Sequence, residues 1–298
     1  MGKGLVEEGL RKGVFVKLPD GAVLSDLKKY GLPDTILIKS DGTSLYITQD
    51  LALTKLKKET FHPDRMFWVI GPEQSLAMKQ LFAICDQLGI GKLSDFVHIT
   101  FGYMSVKGTG KMSSRFGNVV YIDDLIDEAK KVILKKNPSD NVAEVMALGA
   151  VKYSILHVGR TTDTVFDFKS SLSFEGDSGP YLQYTYARCR NVLKDFKDVN
   201  LMKVPGSESI NAEELAILRH IYKFPEIVEK SAKEYSPNLV CAFLFELARR
   251  YSIFYDKHRI ADAADGNIRA FRLTLSRAVS QVLKNGLGLL GIGVLEKV

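Results

Sequence analysis

Gly108-Thr109-Gly110-Lys111-Met112-Ser113-Ser114-Arg115-Phe116-Gly117 is the stretch best equipped for chemistry. Glycines at both ends let a backbone swing and approach a ligand closely, while Lys107, Lys111 and Arg115 carry charge that can meet a departing pyrophosphate. The segment therefore reads as a lid over a triphosphate. Short Gly/Lys/Ser loops are common, and spacing alone leaves a solvated basic hairpin equally open. Two further groups could hold a ligand: Tyr46 with Asp50, and Gln74. A carboxylate at Asp50 could grip a guanidinium through two hydrogen bonds, and the Gln74 amide could donate or accept beside it. Taken as residues, Asp50 is more often a simple helix-start carboxylate and Tyr46 a half-buried strand aromatic.

These groups need elements that set them at one place. Before Gly179-Pro180, strand-like runs at Thr35 to Lys39, Leu45 to Thr48, Met66 to Ile70 and Phe96 to Met104 alternate with helical periods from about Gln49 and Ser75. Such alternation predicts an α/β domain with a parallel, doubly wound sheet, whose ligands gather beyond the carboxyl ends of the strands. Tyr46 then ends one strand, Asp50 opens the next helix where the dipole favours a carboxylate, and Gln74 follows the strand that ends at Ile70. Ile122, Leu125, Ile126, Ala129, Val132 and Ile133 keep helical spacing, and a second helix is expected from about Asn141 to His157. From Tyr181 onward the pattern is all-α, a helix bundle. Its signals are an Asn211/Glu214 capping box, Ser236-Pro237 as a cap followed by proline, and Gly286 with Gly288 loosening the last long helix. The expected domains are 1–178 and 179–298.

Composition narrows the class. The chain has 298 residues, 46% of them hydrophobic, enough for two cores. No apolar run approaches the roughly 20 residues that span a bilayer, and the first residues lack a signal-peptide pattern, so the expectation is a cytoplasmic protein. Cys85, Cys189 and Cys241 are odd in number and far apart, which predicts buried thiols and neither a disulfide framework nor a metal site. The net charge of +6 sits mostly in residues 181–298, with 18 basic against 13 acidic side chains. That surplus suits a nucleic-acid backbone and equally suits a charged helical surface.

Lys111-Met112-Ser113-Ser114-Arg115 resembles the KMSKS signature of class I aminoacyl-tRNA synthetases, and Phe116-Gly117-Asn118-Val119-Val120 is similar to its arginyl-tRNA synthetase form. Asp41 to Asp50, Ser173 to Tyr184 and Gly286 to Ile292 are similar to further blocks of that family, in its order. The resemblance implies a partial Rossmann-like sheet domain followed by a DALR-type anticodon-binding bundle, and an arginine-tRNA ligase. It implies that Gly110, Lys111, Met112, Ser113 and Ser114 bind ATP, with Lys111, Lys107 and Arg115 stabilising charge in catalysis. ATP with Mg2+ is then a substrate, and no prosthetic group or resident metal is implied. Tyr46, Asp50 and Gln74 would contact substrate arginine, whose planar, always-charged fork lysine cannot present.

The resemblance extends to tRNA. Tyr181, Tyr184 and Tyr255 match positions that meet the anticodon loop, where unstacked bases are read by stacking, and Arg188, Arg190 and Arg259 are candidates for phosphates. On their own, tyrosines at helical spacing more often simply pack between helices. The sequence departs from the family at Gln49, where arginine is usual, at Met78, near a usual histidine, at Ser114, in place of the second lysine, and at Val298, where many relatives have methionine. The family's HIGH segment precedes the strands seen here, and none stands before Tyr46; His157-Val158-Gly159-Arg160 comes too late in the order and reads as a helix end with a glycine stop. The expectation is a portion of the ligase that is inactive alone and has the missing N-terminal half as a partner. The rivals are a non-catalytic tRNA-binding paralogue, and a class I synthetase for another amino acid, which Tyr46, Asp50 and Asp177-Ser178-Gly179-Pro180 disfavour.

Overall fold

The computed structural model describes residues 2–108, 120–135, 137–196 and 210–297. They form two compact units, Met1–Gly102 and Tyr103–Val298.

The first unit begins with α1 (Gly2–Arg11) and an antiparallel meander of β1 (Phe15–Lys17), β2 (Val23–Ser25) and β3 (Thr35–Ile38), paired as Phe15 with Ser25 and Leu24 with Ile36. Then come α2 (Tyr46–Phe61), β4 (Met66–Val69), α3 (Ser75–Leu88) and β5 (Phe96–Ile99). β4 and β5 lie parallel, Met66 opposite Phe96 and Trp68 opposite His98, with α3 as the crossover that parallel pairing requires. One face of this pair is apolar. Trp68, Phe82 and Phe96 stack within 4.9 to 5.9 Å of one another there, joined to a core that includes Leu27, Leu37, Leu51, Leu81 and Ile84. α3 ends at Gly89, whose φ of 74° is the left-handed value that stops a helix without strain.

Two expected strands are corrected. Leu45 to Thr48 is not a strand, because α2 starts at Tyr46. A tight turn, with Lys39 and Thr43 bonded and Asp41 accepting from the Thr43 N–H, leaves only Ser44 to bridge Ile38. Thr48 then donates its hydroxyl to the Leu37 carbonyl at 2.6 Å and pins the helix start to β3. The run Phe96 to Met104 breaks after Ile99; Met104 opens another strand, in the second unit.

Among the described residues that unit has one parallel strand pair, β6 (Met104–Val106) with β7 (Thr164–Phe166), and then helices. α4 (Ile122–Leu134) and α5 (Asp140–Leu156) match the sequence periods, and their apolar faces share a core around Ala129, Ile133, Met146 and Ala150. After α6 (Phe168–Ser171) the bundle comprises α7 (Gly179–Leu193), α8 (Ala212–Tyr222), α9 (Phe224–Glu234), α10 (Asn238–Lys257) and α11 (Gly266–Leu289). Leu182, Leu244, Leu247, Tyr251, Val279 and Leu283 fill its centre.

Local chemistry explains the helix ends. Ser178 accepts the Tyr181 N–H and Pro180 fixes the first turn of α7. A methyl group on Gly179 would lie 2.4 Å from the Gly149 carbonyl, so this glycine lets α7 touch α5 backbone to backbone. The Asn211/Glu214 capping box is present in both directions. Three end signals are corrected. Ser236 does not cap α10 with its side chain; its hydroxyl bonds the Glu234 carbonyl. Gly286 and Gly288 lie inside α11, and Gly286 is there for packing, since an added methyl would meet Leu244 at 2.5 Å. α5 does end before His157, but Gly159 takes no left-handed φ. Cys85, Cys189 and Cys241 are buried free thiols, and burial pushes each up to about 12.

Candidate functional site

Asp50 lies one turn into α2 from Tyr46, so the two side chains share a helix face. Tyr46 is the first residue of the helix and is 83% exposed. Asp50 is half-buried, and no hydrogen bond or ion pair to its carboxylate is present among the described residues. Burial alone acts on it and holds its carboxyl above the usual aspartate range. The expectation that Asp50 opens the helix and is relieved by the dipole is therefore corrected: it sits beyond the first residues, where the dipole has faded and desolvation wins. Gln74 closes a short 3-10 turn, Pro72–Gln74, between β4 and α3, and its side chain is exposed. No hydrogen bond joins Gln74 to Tyr46 or Asp50, but α2 packs against α3 within this unit. Of the departures, Gln49 is exposed and Met78 is buried in the core of α3.

At the end of β6, Lys107 donates its backbone N–H to the Phe166 carbonyl. Its ammonium, 70% exposed, lies 2.7 Å from the Asp167 carboxylate. Asp167 also caps α6 by accepting the Lys169 N–H. Its carboxyl is held below the usual range, first by the Lys107 hydrogen bond and next by that backbone N–H. The ammonium expected to face pyrophosphate is thus engaged by Asp167. Gly110, Lys111, Met112, Ser113, Ser114 and Arg115 lie outside the described residues.

The tyrosines of the bundle separate into two settings. Tyr181 is structural in its contacts: its ring packs edge-on to Phe245 and its hydroxyl bonds Ser252 at 3.1 Å. Tyr184 and Tyr255 instead enclose the guanidinium of Arg188, whose central carbon is 4.9 Å from one ring centroid and 4.8 Å from the other. Arg188 also donates to the Tyr184 hydroxyl at 3.3 Å. Arg190 is engaged elsewhere, its Nε 2.7 Å from Glu296 beside the Tyr186 hydroxyl. Arg259 is exposed and makes no side-chain hydrogen bond or ion pair among the described residues. Tyr255 and Arg259 line a cleft of about 470 Å3 that the sequence did not foretell.

Comparison with known proteins divides the chain between residues 168 and 182, not at the boundary of the two compact units. Residues 3–168 match the family model described as tRNA synthetases class I (R), catalytic domain, and residues 182–298 match the DALR anticodon binding domain. The first match covers more than half of the chain. The chain belongs to the class I arginyl-tRNA synthetase family. It is 35% identical over 99% of its length to the arginine–tRNA ligase of Parabacteroides distasonis, covering 52% of that protein. Among solved structures it superimposes on Thermus thermophilus arginyl-tRNA synthetase with a TM-score of 0.85 at 23% identity, over 99% of this chain and 58% of that one. For the Plasmodium falciparum arginyl-tRNA synthetase the TM-score is 0.81 at 20% identity, over 100% of this chain and 52% of that one. The chain thus spans about half the length of the curated relatives it matches.

Within this arginyl-tRNA synthetase framework, Tyr46, Asp50, Gln74 and Lys107 fall in the catalytic-domain match, and Tyr184, Arg188 and Tyr255 fall in the anticodon-domain match. Two contacts of these candidate residues escaped sequence reading. The Arg188 stack was half legible, since Tyr184 and Arg188 are four residues apart on one helix, but Tyr255 arrives from α10. The ion pair of Lys107 with Asp167 joins residues far apart in sequence and has no local signal.

Proposed function

We propose that this chain is the arginine-holding and tRNA-holding portion of an arginine-tRNA ligase, with Tyr46, Asp50 and Gln74 on the amino acid. The observation that carries this reading is the half-buried Asp50 carboxylate with no partner among the described residues. A desolvated anion costs free energy until a cation meets it, and a guanidinium meets a carboxylate through two parallel hydrogen bonds. Arginine is the amino acid that brings such a fork, and lysine cannot reproduce its geometry.

The chemistry that follows is activation of arginine by ATP. A carboxylate oxygen of arginine attacks the α-phosphorus, the bond to the β-phosphate bridge breaks, and pyrophosphate leaves with the charge. A hydroxyl of the terminal tRNA ribose then attacks the adenylate carbonyl and AMP departs. Positioning and charge stabilisation carry the first step, with Lys111, Arg115 and the Gly110 to Ser114 backbone on the phosphates. Lys107 would have to leave Asp167 to share that work. Mg2+ would accompany the ATP phosphates; no group of three His, Cys, Asp or Glu that could hold a metal is present among the described residues. The domain boundary is read at Gly179, where α7 starts, and Tyr184, Tyr255 and Arg188 are assigned to tRNA, with Tyr181 in the same role by its place in the sequence. No helix among the described residues is long and apolar enough to cross a membrane; a cytoplasmic setting is part of the proposal.

Covering about half of its relatives' length, the chain is read as needing the rest of the catalytic fold for adenylate formation. The test is arginine-dependent exchange between ATP and pyrophosphate. The chain alone is expected to give none; fused behind the amino-terminal portion of the Parabacteroides distasonis ligase, it is expected to exchange, and Asp50→Ala to abolish this. Exchange unaffected by Asp50→Ala would overturn the assignment.

A further inference from the structure

β4 and β5 pair in register from Met66 opposite Phe96 to Val69 opposite Ile99, and there the ladder stops. Ile70 lies one residue beyond it. Its N–H still reaches the Ile99 carbonyl at 3.3 Å, but its own carbonyl meets no backbone N–H among the described residues. The imidazole of His98, on β5, takes that place, with Nε2 3.1 Å from the Ile70 oxygen. A carbonyl oxygen only accepts, so Nε2 carries the proton in this contact.

The chain turns immediately afterwards. Gly71 is buried, with the Glu73 carboxylate packed where a Cβ would stand. The Gln74 N–H closes the 3-10 turn onto the Gly71 carbonyl at 3.2 Å, and the Ser75 hydroxyl donates to the Pro72 carbonyl at 2.6 Å. Gln74 also stands at the N-cap of α3, yet its side chain caps nothing and makes no hydrogen bond among the described residues. The amide is left for a ligand, and its place depends on a turn hung from the Ile70 peptide. His98 anchors that peptide.

We infer that His98 is a positioning residue for arginine binding: through the Ile70 carbonyl it sets where the Gln74 amide stands. Without the imidazole donor, that carbonyl at the end of the ladder is left without its partner. The peptide then rotates toward water, and the turn that carries Gln74 swings with it. In this role His98 touches no substrate. The inference rests on the assignment of Gln74 to arginine above and adds to it the side chain that places the amide.

Arginine titrations of the full chain, followed by nitrogen-15 NMR, test it through substitutions that separate the donor from the bulk of the ring. His98→Phe keeps a ring and loses the donor, and it should weaken arginine about fivefold, the worth of one hydrogen bond. His98→Gln brings an amide nitrogen to the place of Nε2 and should hold affinity within about twofold of wild type. Gln74→Ala should itself weaken arginine, and adding His98→Phe to it should cost nothing more, because the histidine acts only through that turn. Thermal melts check that each variant is folded; if His98→Phe does not fold, His98→Asn, whose shorter amide falls short of the carbonyl, takes its place. Additive losses in the double variant, or equal affinities for His98→Gln and the donor-less variant, overturn the inference and leave Gln74 on arginine. Binding untouched by Gln74→Ala overturns the inference together with the Gln74 assignment, and a wild-type chain that does not respond to arginine overturns the whole arginine reading with it.

Discussion

The guanidinium of Arg188, on α7, stacks against the ring of Tyr255, on α10, with 4.8 Å between the guanidinium carbon and the ring centroid. A planar cation over an aromatic face is worth about 0.5 to 2 kcal/mol, more as water is excluded. The same guanidinium carbon lies 4.9 Å from the Tyr184 ring centroid, so Arg188 contacts both aromatic rings proposed to meet RNA. Arg188→Lys keeps the charge and loses the planar stack. It should weaken tRNA binding by roughly three- to tenfold in a filter-binding titration, with the salt dependence unchanged. Unchanged binding by the lysine variant would show instead that Arg188 acts only as a charge.

Asp50 should cost the free protein stability. Its folded carboxyl sits above its unfolded value because burial disfavours the anion. The destabilisation is therefore fully present at neutral pH, shrinks as pH falls through the raised folded value, and is gone below the ordinary aspartate value. Asp50→Asn is expected to melt higher than wild type at pH 7, with the two curves converging in acid. A variant that melts lower at pH 7 would contradict the unpartnered carboxylate.

The pair of Asp167 with Lys107 has the opposite sign. The folded carboxyl of Asp167 is depressed, so its contribution is present above the ordinary aspartate value and lost as pH falls through the depressed one. Asp167→Asn should lower the melting temperature slightly at pH 7 and not at all in strong acid. Equal lowering at every pH would show that the pair contributes nothing.

Gly286→Ala should destabilise by about 1 to 3 kcal/mol in urea unfolding, because the new methyl meets Leu244 at 2.5 Å. Combining it with Leu244→Ala, which makes room, should cost less than the sum of the two single changes. Simple additivity would remove the close approach of α11 to α10 as the reason for this glycine.

Much of the frame was legible in the sequence where periodicity ran long. α3, α4 and α5 carry apolar faces over three turns or more, and the Asn211/Glu214 box names its own helix start. Short elements were not legible. β1, β2 and β7 have three residues each, too few for alternation to show, and Leu45 to Thr48 carries β-branched residues that fit a strand as well as the helix start it becomes. The same limit governs the candidate site. Tyr46, Asp50 and the tyrosines came from a resemblance to family blocks, and Lys111 by the same route lies outside the described residues. The freedom of the Asp50 carboxylate, the capture of Lys107 by Asp167 and the enclosure of Arg188 are tertiary facts that no local pattern encodes.

The central claim, that Asp50 waits for the guanidinium of arginine, is tested most directly by nitrogen-15 NMR of the whole chain titrated with arginine and, separately, with citrulline. Citrulline matches arginine in shape but replaces the guanidinium with a neutral urea. The account predicts saturable shifts of the Tyr46 to Asp50 amides with arginine, little response to citrulline, and no response in Asp50→Ala. Equal shifts with citrulline, or arginine shifts that survive Asp50→Ala, would contradict it.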